Sequence, residues 1–459
     1  MKIRTVVPAL TVFLSITAIP SLDASDFRAR DPGVRGGPPG AGGPVSGLST
    51  SQRTMFDTGK DDFEEAEGVG DGLGPRFNLD SCAGCHSQPA TGGSSPRVNP
   101  QVTVATASGA RNQIPSFIQK DGPVREVRYK LKPDGTRDGG VHALFVVSGR
   151  KDDTGDATGC NIAQEDFEAE ARRNNVIFRI PTPAFGAGLI EMIPDKAILA
   201  NARDQTDAKS TLGIAGKPNM ISVSGQPNAN GNDGTVARFG WKAQNKSLLV
   251  FSAEAYNVEM GITNEAFQTE RDETANCQFA RVPNDVTVTN AKSAAEAASG
   301  IERFAFFMRF LAAPQPSSNT PGGADSISNG RKVFEQIGCA LCHTPSFKTG
   351  DAQIAALRNK TVTLYSDLLV HGMGEKLADE ILQGQAGPDE FRTAPLWGLG
   401  QRVYFLHDGR TSDLIEAIHE HRSQANGRYK ASEANAVVNN YDRLDEQRKQ
   451  DMLNFLRSL

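Results

Sequence analysis

The sequence predicts a mainly α-helical protein with two domains of one kind, of which the N-terminal domain is enlarged by a loop-rich insertion with some β-structure. The motif Cys-x-x-Cys-His occurs twice, at residues 82–86 and 339–343. The stretch "SISNGRKVFEQIG" before the second motif and the C-terminal stretch "YDRLDEQRKQDMLNFLRSL" both have the periodicity of amphipathic helices. Strand-like stretches, "HALFVVSG" and "SLLVFSAEAY", lie between the two motifs.

Length and composition are those of a globular protein with more than one domain. The chain has 459 residues, of which 38% are hydrophobic and 22% are charged. The formal net charge is −5 and there is no basic cluster, so we expect no nucleic-acid partner. Beyond the N-terminus no apolar run is long enough to span a bilayer, so we expect no integral membrane segment.

The N-terminus predicts export. Lys2 and Arg4 precede the apolar run "VVPALTVFLSITAI", and we interpret residues 1–24 as a signal peptide that directs the protein to the periplasm. Residues 25–47 are rich in glycine and proline and poor in apolar side chains, which predicts a flexible tether outside the fold.

Composition also suggests the domain boundaries. The stretch "AAPQPSSNTPGG" predicts a linker at residues 313–324. The N-terminal domain with its insertion would then cover residues 48–312, and the C-terminal domain would cover residues 325–459.

Six cysteines are present, and four of them belong to the two motifs. An oxidising compartment favours a disulfide between the remaining pair, Cys160 and Cys277. The alternative is two buried free thiols, which are a liability in such a compartment.

The two motifs have three interpretations. Zinc ribbons place their cysteine pairs about 15–20 residues apart, whereas these motifs lie in different halves of the chain. A thioredoxin-like redox pair belongs to a βαβ unit, and neither flank has that pattern. Covalent haem attachment alone explains the histidine after each second cysteine, because two thioethers hold the porphyrin and the next residue binds the iron.

We therefore predict two cytochrome c-like domains. The residues that would hold their two covalently attached haems c are Cys82, Cys85, His86, Cys339, Cys342 and His343.

The stretch "SDLIEAIHEH" offers a sixth ligand for the second iron. Asp413 and Glu416 resemble the N-cap and N3 residues of a capping box. In the helix that follows, His421 falls on the apolar face and His419 on its flank. A histidine on the apolar face of a helix is commonly a core residue. Here the iron of the second haem lacks a sixth ligand, which favours ligation by this histidine. We therefore assign His421 as the second axial ligand of this haem.

Four longer segments carry a family resemblance. They are "GLGPRFNLDSCAGCH", "PAFGAGLIEMIPD", "ARFGWKAQ…MGITNE" and "RTAPLWGLG…FLHDGR". From about residue 47 to its C-terminus the chain resembles the di-haem oxidoreductase, putative peroxidase family, also called thiol oxidoreductases, within the bacterial di-haem cytochrome c peroxidase superfamily. The name thiol oxidoreductase has no support in the residues, since haem would consume every motif cysteine.

The resemblance implies a division of labour between the haems. In the superfamily the C-terminal haem transfers electrons and the N-terminal haem reacts with peroxide. We therefore expect a small soluble electron donor, a cytochrome or a cupredoxin, and peroxide or another small oxidant as substrate. The sixth ligand of the C-terminal haem is often Met in the superfamily, or Tyr in related enzymes that form quinone cofactors, where this chain offers His421.

The first haem has no further histidine close after His86, so its sixth position is either open or filled from a distance. Peroxide cleavage needs an acid–base group over the iron. We nominate Glu191 as this catalytic group, because its apolar, glycine-rich surround would favour the protonated form. The alternative is a structural Glu191 that caps a turn or pairs with an arginine. Met192, His142 and His371 are weaker candidates for an axial ligand.

Three further expectations concern the surroundings of the haems. By the resemblance, Trp241 or Trp397 could relay electrons, although most tryptophans are core residues. Calcium is a candidate ion, because the superfamily binds it between the haems. Arg410 is expected either to meet a haem propionate or to pair with Asp408 or Glu416.

We therefore expect a periplasmic di-haem c-type oxidoreductase of peroxidase-like activity, in which the C-terminal haem passes electrons to the N-terminal one. Two alternatives are a pure electron-transfer cytochrome and a haem-bearing partner of a periplasmic metal-uptake system. The lack of a second histidine near the first motif favours the peroxidase over the carrier. The sequence does not separate the peroxidase from the metal-uptake partner.

Overall fold

The structure is a computed structural model that describes residues 27–221, 235–317 and 321–459. The predicted signal peptide, residues 1–24, lies outside these ranges. The α-helices in this part of the chain are α1 Thr50–Glu64, α2 Cys82–Cys85, α3 Gln101–Val104, α4 Phe167–Arg172, α5 Ala187–Glu191, α6 Asp195–Arg203, α7 Thr206–Leu212, α8 Leu248–Met260, α9 Ala294–Ala297, α10 Gly300–Phe310, α11 Gly323–Gln336, α12 Leu414–Glu420, α13 Asn435–Asp442 and α14 Glu446–Ser458. The β-strands are β1 Arg76–Phe77, β2 Glu126–Tyr129, β3 Val141–His142, β4 Phe145–Val146, β5 Val176–Arg179, β6 Phe347–Lys348, β7 Thr361–Val362, β8 Val370–Gly372 and β9 Glu390–Arg392.

Two pairs of crossed helices form the frame of the protein. Helix α11 leads into the second motif and packs across the C-terminal helix α14, as the two amphipathic patterns predict. Helices α1 and α10 repeat this arrangement around the first motif, with the insertion between them. Capping boxes start both helices of the first pair, Ser49 with Gln52 at α1 and Ser299 with Glu302 at α10.

A glycine lets the backbones approach at each crossing. A Cβ placed on Gly59 of α1 would lie 2.2 Å from the carbonyl oxygen of Arg303 in α10. A Cβ placed on Gly330 of α11 would lie 1.9 Å from the carbonyl oxygen of Asp451 in α14. Neither position has room for a side chain, so both helix pairs depend on the same small residue.

The β-structure consists of short antiparallel pairings, with strand orders β1-β4, β3-β2-β5, β6-β7 and β8-β9. The prediction of strands in "HALFVVSG" is confirmed by β3 and β4. The prediction for "SLLVFSAEAY" is wrong, because this stretch forms α8. Helix α8 starts at the N-cap Ser247 and is apolar on nearly all sides, and such a run has no period that separates a buried strand from a buried helix.

The insertion packs on the frame of the N-terminal domain. Its apolar side chains join those of α1, α8 and α10 in one large core, while α11 and α14 enclose a second core with α12. The predicted disulfide between Cys160 and Cys277 is present and ties two loops of the insertion together. No helix among the described residues is both long enough and apolar enough to cross a membrane.

The segment of residues 27–47 makes defined contacts, where its composition predicts a flexible tether. The carboxylate of Asp31 pairs with the guanidinium of Arg457 at 2.6 Å, and both side chains are buried. Further along, the N–H of Val45 donates to the carbonyl oxygen of Phe310. The segment therefore contacts both domains. These contacts are polar, so the low content of apolar side chains did not predict them.

We predict that Gly330→Ala destabilises the C-terminal domain by about 1–3 kcal/mol, because a methyl group forces α11 and α14 apart. Chemical denaturation followed by circular dichroism measures this change. Gly427→Ala is the control, since a Cβ there meets no atom within 4 Å. Equal stability of the two variants would contradict the close helix crossing.

Candidate functional site

Each Cys-x-x-Cys-His motif lies on the wall of its own cavity. The cysteines and the histidine of residues 82–86 line the first cavity, and those of residues 339–343 line the second. The four motif cysteines therefore do not meet, which excludes one zinc site built from both motifs. Burial raises the pKa of Cys82 and of Cys339 to about 12, so neither is a reactive thiolate of the kind that a dithiol enzyme uses.

Both motif histidines are held in the tautomer that binds a metal through Nε2. Nδ1 of His86 donates to the carbonyl oxygen of Gly93, and Nδ1 of His343 donates to that of Tyr365, each at 3.0 Å. Because a carbonyl only accepts, Nδ1 carries the proton and Nε2 keeps its lone pair. Burial lowers the pKa of His343 to about 4 and also lowers that of His86, which keeps both rings neutral.

Helix α12 brings a further histidine to the second cavity. Its N-cap Asp413 accepts from the N–H of Glu416, as predicted, but the Glu416 carboxylate accepts from the hydroxyl of Thr411 and does not close the box. The apolar face of α12 lines the cavity together with His421, whereas His419 points away to an aspartate.

His421 has the same bonding pattern as the motif histidines. Its Nδ1 donates to the carbonyl oxygen of Ala417 at 2.7 Å, and burial lowers its pKa. The second cavity thus holds three neutral imidazoles. They are His343 and His421, whose Nε2 atoms keep their lone pairs, and His407, whose pKa burial lowers to about 4. The ligation of iron by His421 stays a prediction.

His371 also lines the second cavity, but both of its ring nitrogens are engaged. Nε2 lies 2.9 Å from a carboxylate oxygen of Asp367, and Nδ1 lies 2.8 Å from one of Glu433. Burial alone would lower its pKa, but the neighbouring Cys342 and Asp367 raise it well above the usual value. Because both ring nitrogens are engaged by carboxylates, the geometry gives no support to His371 as a ligand of the haem iron.

The remaining histidine nominated as an axial ligand, His142, lies outside both cavities. Its ring stacks on Tyr129, with 3.7 Å between ring centroids, and its nitrogens meet carboxylates of Glu165 and Asp138. It therefore belongs to the packing of the insertion.

Glu191, nominated as catalytic, does not lie on the wall of the first cavity. Its carboxylate accepts from Nε of Arg309 at 2.8 Å and from the N–H of Leu248, the first residue of α8, at 3.0 Å. These contacts correspond to the structural alternative, a glutamate that caps and pairs. Met192 lines neither cavity, so the geometry gives no support to it as an axial ligand.

A buried pair of glutamates lines the first cavity instead. The side chain of Glu259 in α8 is hydrogen-bonded to that of Glu126 in β2, and its Oε2 accepts from Nδ2 of Asn78 at 2.8 Å. Burial and the charge of Glu126 raise the pKa of Glu259. Burial also opposes ionisation of Glu126, but Arg128 and Arg179 outweigh it and lower that pKa. Two such carboxylates share one proton at neutral pH.

The sequence analysis missed Glu259, although it lies in the family-like string that ends in "MGITNE". It was missed because the sequence analysis did not predict the helix α8. Once α8 is recognised, Glu259 lies one turn after Ala255 and one residue before Met260, all three on the wall of the first cavity.

One wall belongs to both cavities. Trp241, Arg392 and Arg402 line the first as well as the second. The indole N–H of Trp241 donates to the carbonyl oxygen of Ile180 at 2.8 Å, which fixes the ring between them. Trp397 lines the first cavity only.

The shared arginines fit the propionates of haem. Burial lowers the pKa of Arg392 and of Arg402 to about 10, and neither forms an ion pair with a described residue. Arg392 donates to the carbonyl oxygen of Gly240, and without a carboxylate in an ion pair both cations are placed to bind anionic groups of a ligand. Arg125 gives the same indication, because its buried Nε has no hydrogen-bond partner in the described structure and faces the first cavity.

Arg410 does not serve this purpose. Its guanidinium lies 2.7 Å from Asp408 and 3.0 Å from Glu420, and it lines neither cavity. The alternative of a salt bridge is therefore the observed one, with Glu420 in the place that the sequence analysis gave to Glu416.

We predict that Glu191→Ala lowers the free energy of unfolding by about 1–3 kcal/mol, because Arg309 and the N–H of Leu248 both lose their acceptor. Glu335→Ala is the control, since this exposed residue has only a weak ion pair, and its effect should stay within about 0.5 kcal/mol. Denaturant titration measures both variants. An unchanged stability of Glu191→Ala, combined with a lost reaction with peroxide, would restore the catalytic assignment.

Comparison with solved structures gives distant similarities. Hydrazine synthase from Kuenenia stuttgartiensis aligns over 98% of this chain and 99% of its own, at 12% identity and a TM-score of 0.36. A MauG-like protein associated with microbial copper homeostasis aligns over 61% of this chain and 89% of its own, at 15% identity and a TM-score of 0.28. For the diheme peroxidase BthA from Burkholderia thailandensis E264 these shares are 61% and 86%, at 13% identity and a TM-score of 0.28. These similarities are too low to carry an argument.

A comparison with curated proteins gave no match. A family match is nevertheless present. Residues 127–459 match the family described as "Di-haem oxidoreductase, putative peroxidase". This range includes the second motif, Glu259, Trp241, the shared arginines and His421, and it is most of the chain. The protein belongs to the di-haem oxidoreductase, putative peroxidase family, whose cofactors are haems.

Proposed function

We propose that the protein is a periplasmic c-type oxidoreductase that reduces peroxide in the first cavity with electrons that arrive through the second. The observation that carries this proposal is the difference between the cavities. The second presents three neutral imidazoles, His343, His407 and His421, whereas the first combines one, His86, with the buried pair Glu126 and Glu259.

Haem c fits both cavities. The cysteines of each motif would form the thioethers, His86 and His343 would bind the irons, and Arg392 and Arg402 would receive propionates. The haems would supply the irons and the electrons of the reaction. Calcium between the haems stays a prediction.

In the first cavity the protein supplies acid–base chemistry. Cleavage of a peroxide requires a proton to leave one oxygen and to reach the other. The pair of Glu259 and Glu126 holds one proton, so it can give this proton to one oxygen and take up the proton that leaves the other, while Asn78 holds the carboxyl group of Glu259 in place. A positioned acid–base group of this kind contributes about 10²–10⁴-fold to the rate.

The first cavity also has no second histidine. All seven histidines of the chain lie in the described ranges, and only His86 lines this cavity. Two methionines, Met260 and Met308, are the thioethers on its wall. The absence of a second imidazole supports an open position at which peroxide can bind.

In the second cavity His343 and His421 would occupy both axial positions, which suits electron transfer and prevents reaction with peroxide. Trp241 lies on the wall between the cavities and is the candidate path for electrons from the second haem to the first. A small soluble cytochrome or cupredoxin would supply these electrons.

The first prediction from this proposal concerns Glu259. In Glu259→Gln the rate constant for the reaction with peroxide should fall by about 10²–10⁴-fold, since an amide cannot accept the proton. Glu254→Gln is the control, because Glu254 lines the same cavity but is bonded to Asn245. Stopped-flow spectroscopy of the haem bands measures both. Equal rates in the two variants would remove Glu259 from the mechanism.

The second prediction concerns His421. His421→Ala should convert the second haem from low spin to high spin, whereas His419→Ala should not, since His419 points to Asp442 at the surface. Electron paramagnetic resonance of the oxidised protein distinguishes the two states. A low-spin second haem in His421→Ala would show that another residue is the ligand.

The function itself is tested by electron paramagnetic resonance of the oxidised, haem-loaded protein before and after stoichiometric peroxide. We expect one high-spin ferric signal that peroxide consumes. Two low-spin signals that do not respond to peroxide, even after half-reduction, would instead identify an electron carrier. A responsive spectrum without turnover, in a protein that purifies with a stable partner, would favour the metal-uptake alternative.

A further inference from the structure

The wall of the first cavity contains a tyrosine whose hydroxyl has a specific partner. Tyr256 lies on α8, one turn before Met260, and its side chain is buried. Its hydroxyl donates to Oε1 of Glu67 at 2.7 Å. Glu67 itself lies outside the cavity, on the far side of the phenol.

The carboxylate of Glu67 can act as a base, because it does not take part in an ion pair. Its carboxylate meets no lysine or arginine among the described residues, since Arg150 reaches only the backbone carbonyl oxygen of Glu67, and the acidic Glu65, Asp71 and Asp62 act on it. Burial and these like charges raise the pKa of Glu67 to about 7. A half-buried carboxylate normally has a cation beside it, so a phenol as the side-chain partner of this carboxylate in the described structure needs an explanation.

The tyrosine of the second cavity provides a contrast. Tyr441 lines that cavity and is also buried, but its hydroxyl has no hydrogen-bond partner in the described structure. A phenol can give up an electron readily only when its proton can leave at the same time. Tyr256 has an acceptor for that proton, and Tyr441 has none.

We propose that Tyr256 and Glu67 form a redox pair that gives one electron and one proton when peroxide has oxidised the cofactor of the first cavity. The O–H bond of Tyr256 breaks, its electron reduces the oxidised haem by one equivalent, and its proton passes to the carboxylate of Glu67. The products are a neutral tyrosyl radical at position 256 and a neutral carboxylic acid at position 67. An electron from the donor, together with the proton from Glu67, restores the phenol.

This pair rests on the proposed function, since peroxide is the oxidant. It adds a store for one oxidising equivalent that does not depend on the second haem. The aromatic rings of Phe304 and Phe63 pack between Tyr256 and His86, with centroid separations of 4.9, 6.1 and 5.9 Å along the series. The phenol therefore belongs to the same packed cluster as the iron ligand.

The test uses the full-length, haem-loaded, oxidised protein, produced with ring-deuterated and with ordinary tyrosine. Samples are frozen shortly after one equivalent of hydrogen peroxide, and electron paramagnetic resonance and the visible haem bands are recorded on each. We expect an organic radical signal that narrows with deuterated tyrosine, is lost in Tyr256→Phe and is weakened in Glu67→Gln. Tyr429→Phe is the control, because Tyr429 is equally buried and bonded to a glutamate but lines neither cavity, and it should keep the signal.

The outcomes separate the two proposals. A change of the haem bands without a tyrosine radical, or a radical that persists in Tyr256→Phe, overturns the redox pair and leaves the peroxidase intact. Haem bands that do not respond to peroxide overturn both. If Tyr256→Phe does not fold, deuterium narrowing in the wild type and the weakening of the signal in Glu67→Gln decide the question.

Discussion

The hydrogen bond from Nδ1 of His343 to the carbonyl oxygen of Tyr365 decides what the second cavity can bind. It fixes the tautomer of the ring and therefore the nitrogen that can reach a metal. The loop that offers this carbonyl is itself tied to the motif, because the N–H of Asp367 donates to the carbonyl oxygen of Cys342. Tyr365 has a φ of 53°, a left-handed conformation that a tyrosine rarely adopts. The loop is thus held in an unfavourable backbone state whose effect is to present a carbonyl to the histidine.

The same device serves the first cavity, where Gly93 offers the carbonyl to His86, yet the two cavities differ in character. Both rest on a pair of helices that cross at a glycine. In the C-terminal domain the space above the motif is closed by α12, which brings an imidazole. In the N-terminal domain it is closed by α8 and the insertion, which bring carboxylates and guanidinium groups. One frame therefore supports two environments, and the difference lies in the elements that cover it.

The sequence predicted those parts of the molecule that depend on local patterns. The motifs, the helices α11 and α14, the cavity-facing side of α12 and the Cys160–Cys277 disulfide all follow from spacing, periodicity or compartment. It did not predict contacts between distant segments. Glu191 was chosen for its apolar neighbours in the chain, but Arg309, 118 residues away, engages its carboxylate. The environment of Glu259 depends on Asn78, which is 181 residues away in the chain, and on Glu126 in β2, a strand that the sequence analysis did not predict. The assignment of α8 failed because an apolar run on all sides has no usable period.

The ion pair between Asp31 and Arg457 joins residues that are 426 positions apart. Among the described residues this is the side-chain contact that spans the longest stretch of chain, and closing so long a loop costs more conformational entropy than a local contact does. The segment of residues 27–47 can make its contacts only where α14 and the end of α10 are both in place, because Arg457 and Phe310 belong to these helices. Without this segment the buried guanidinium of Arg457 has no counter-ion, so a C-terminal domain that lacks it is an incomplete folding unit. The first part of the described chain thus connects the last helix, α14, with the end of α10 in the other domain.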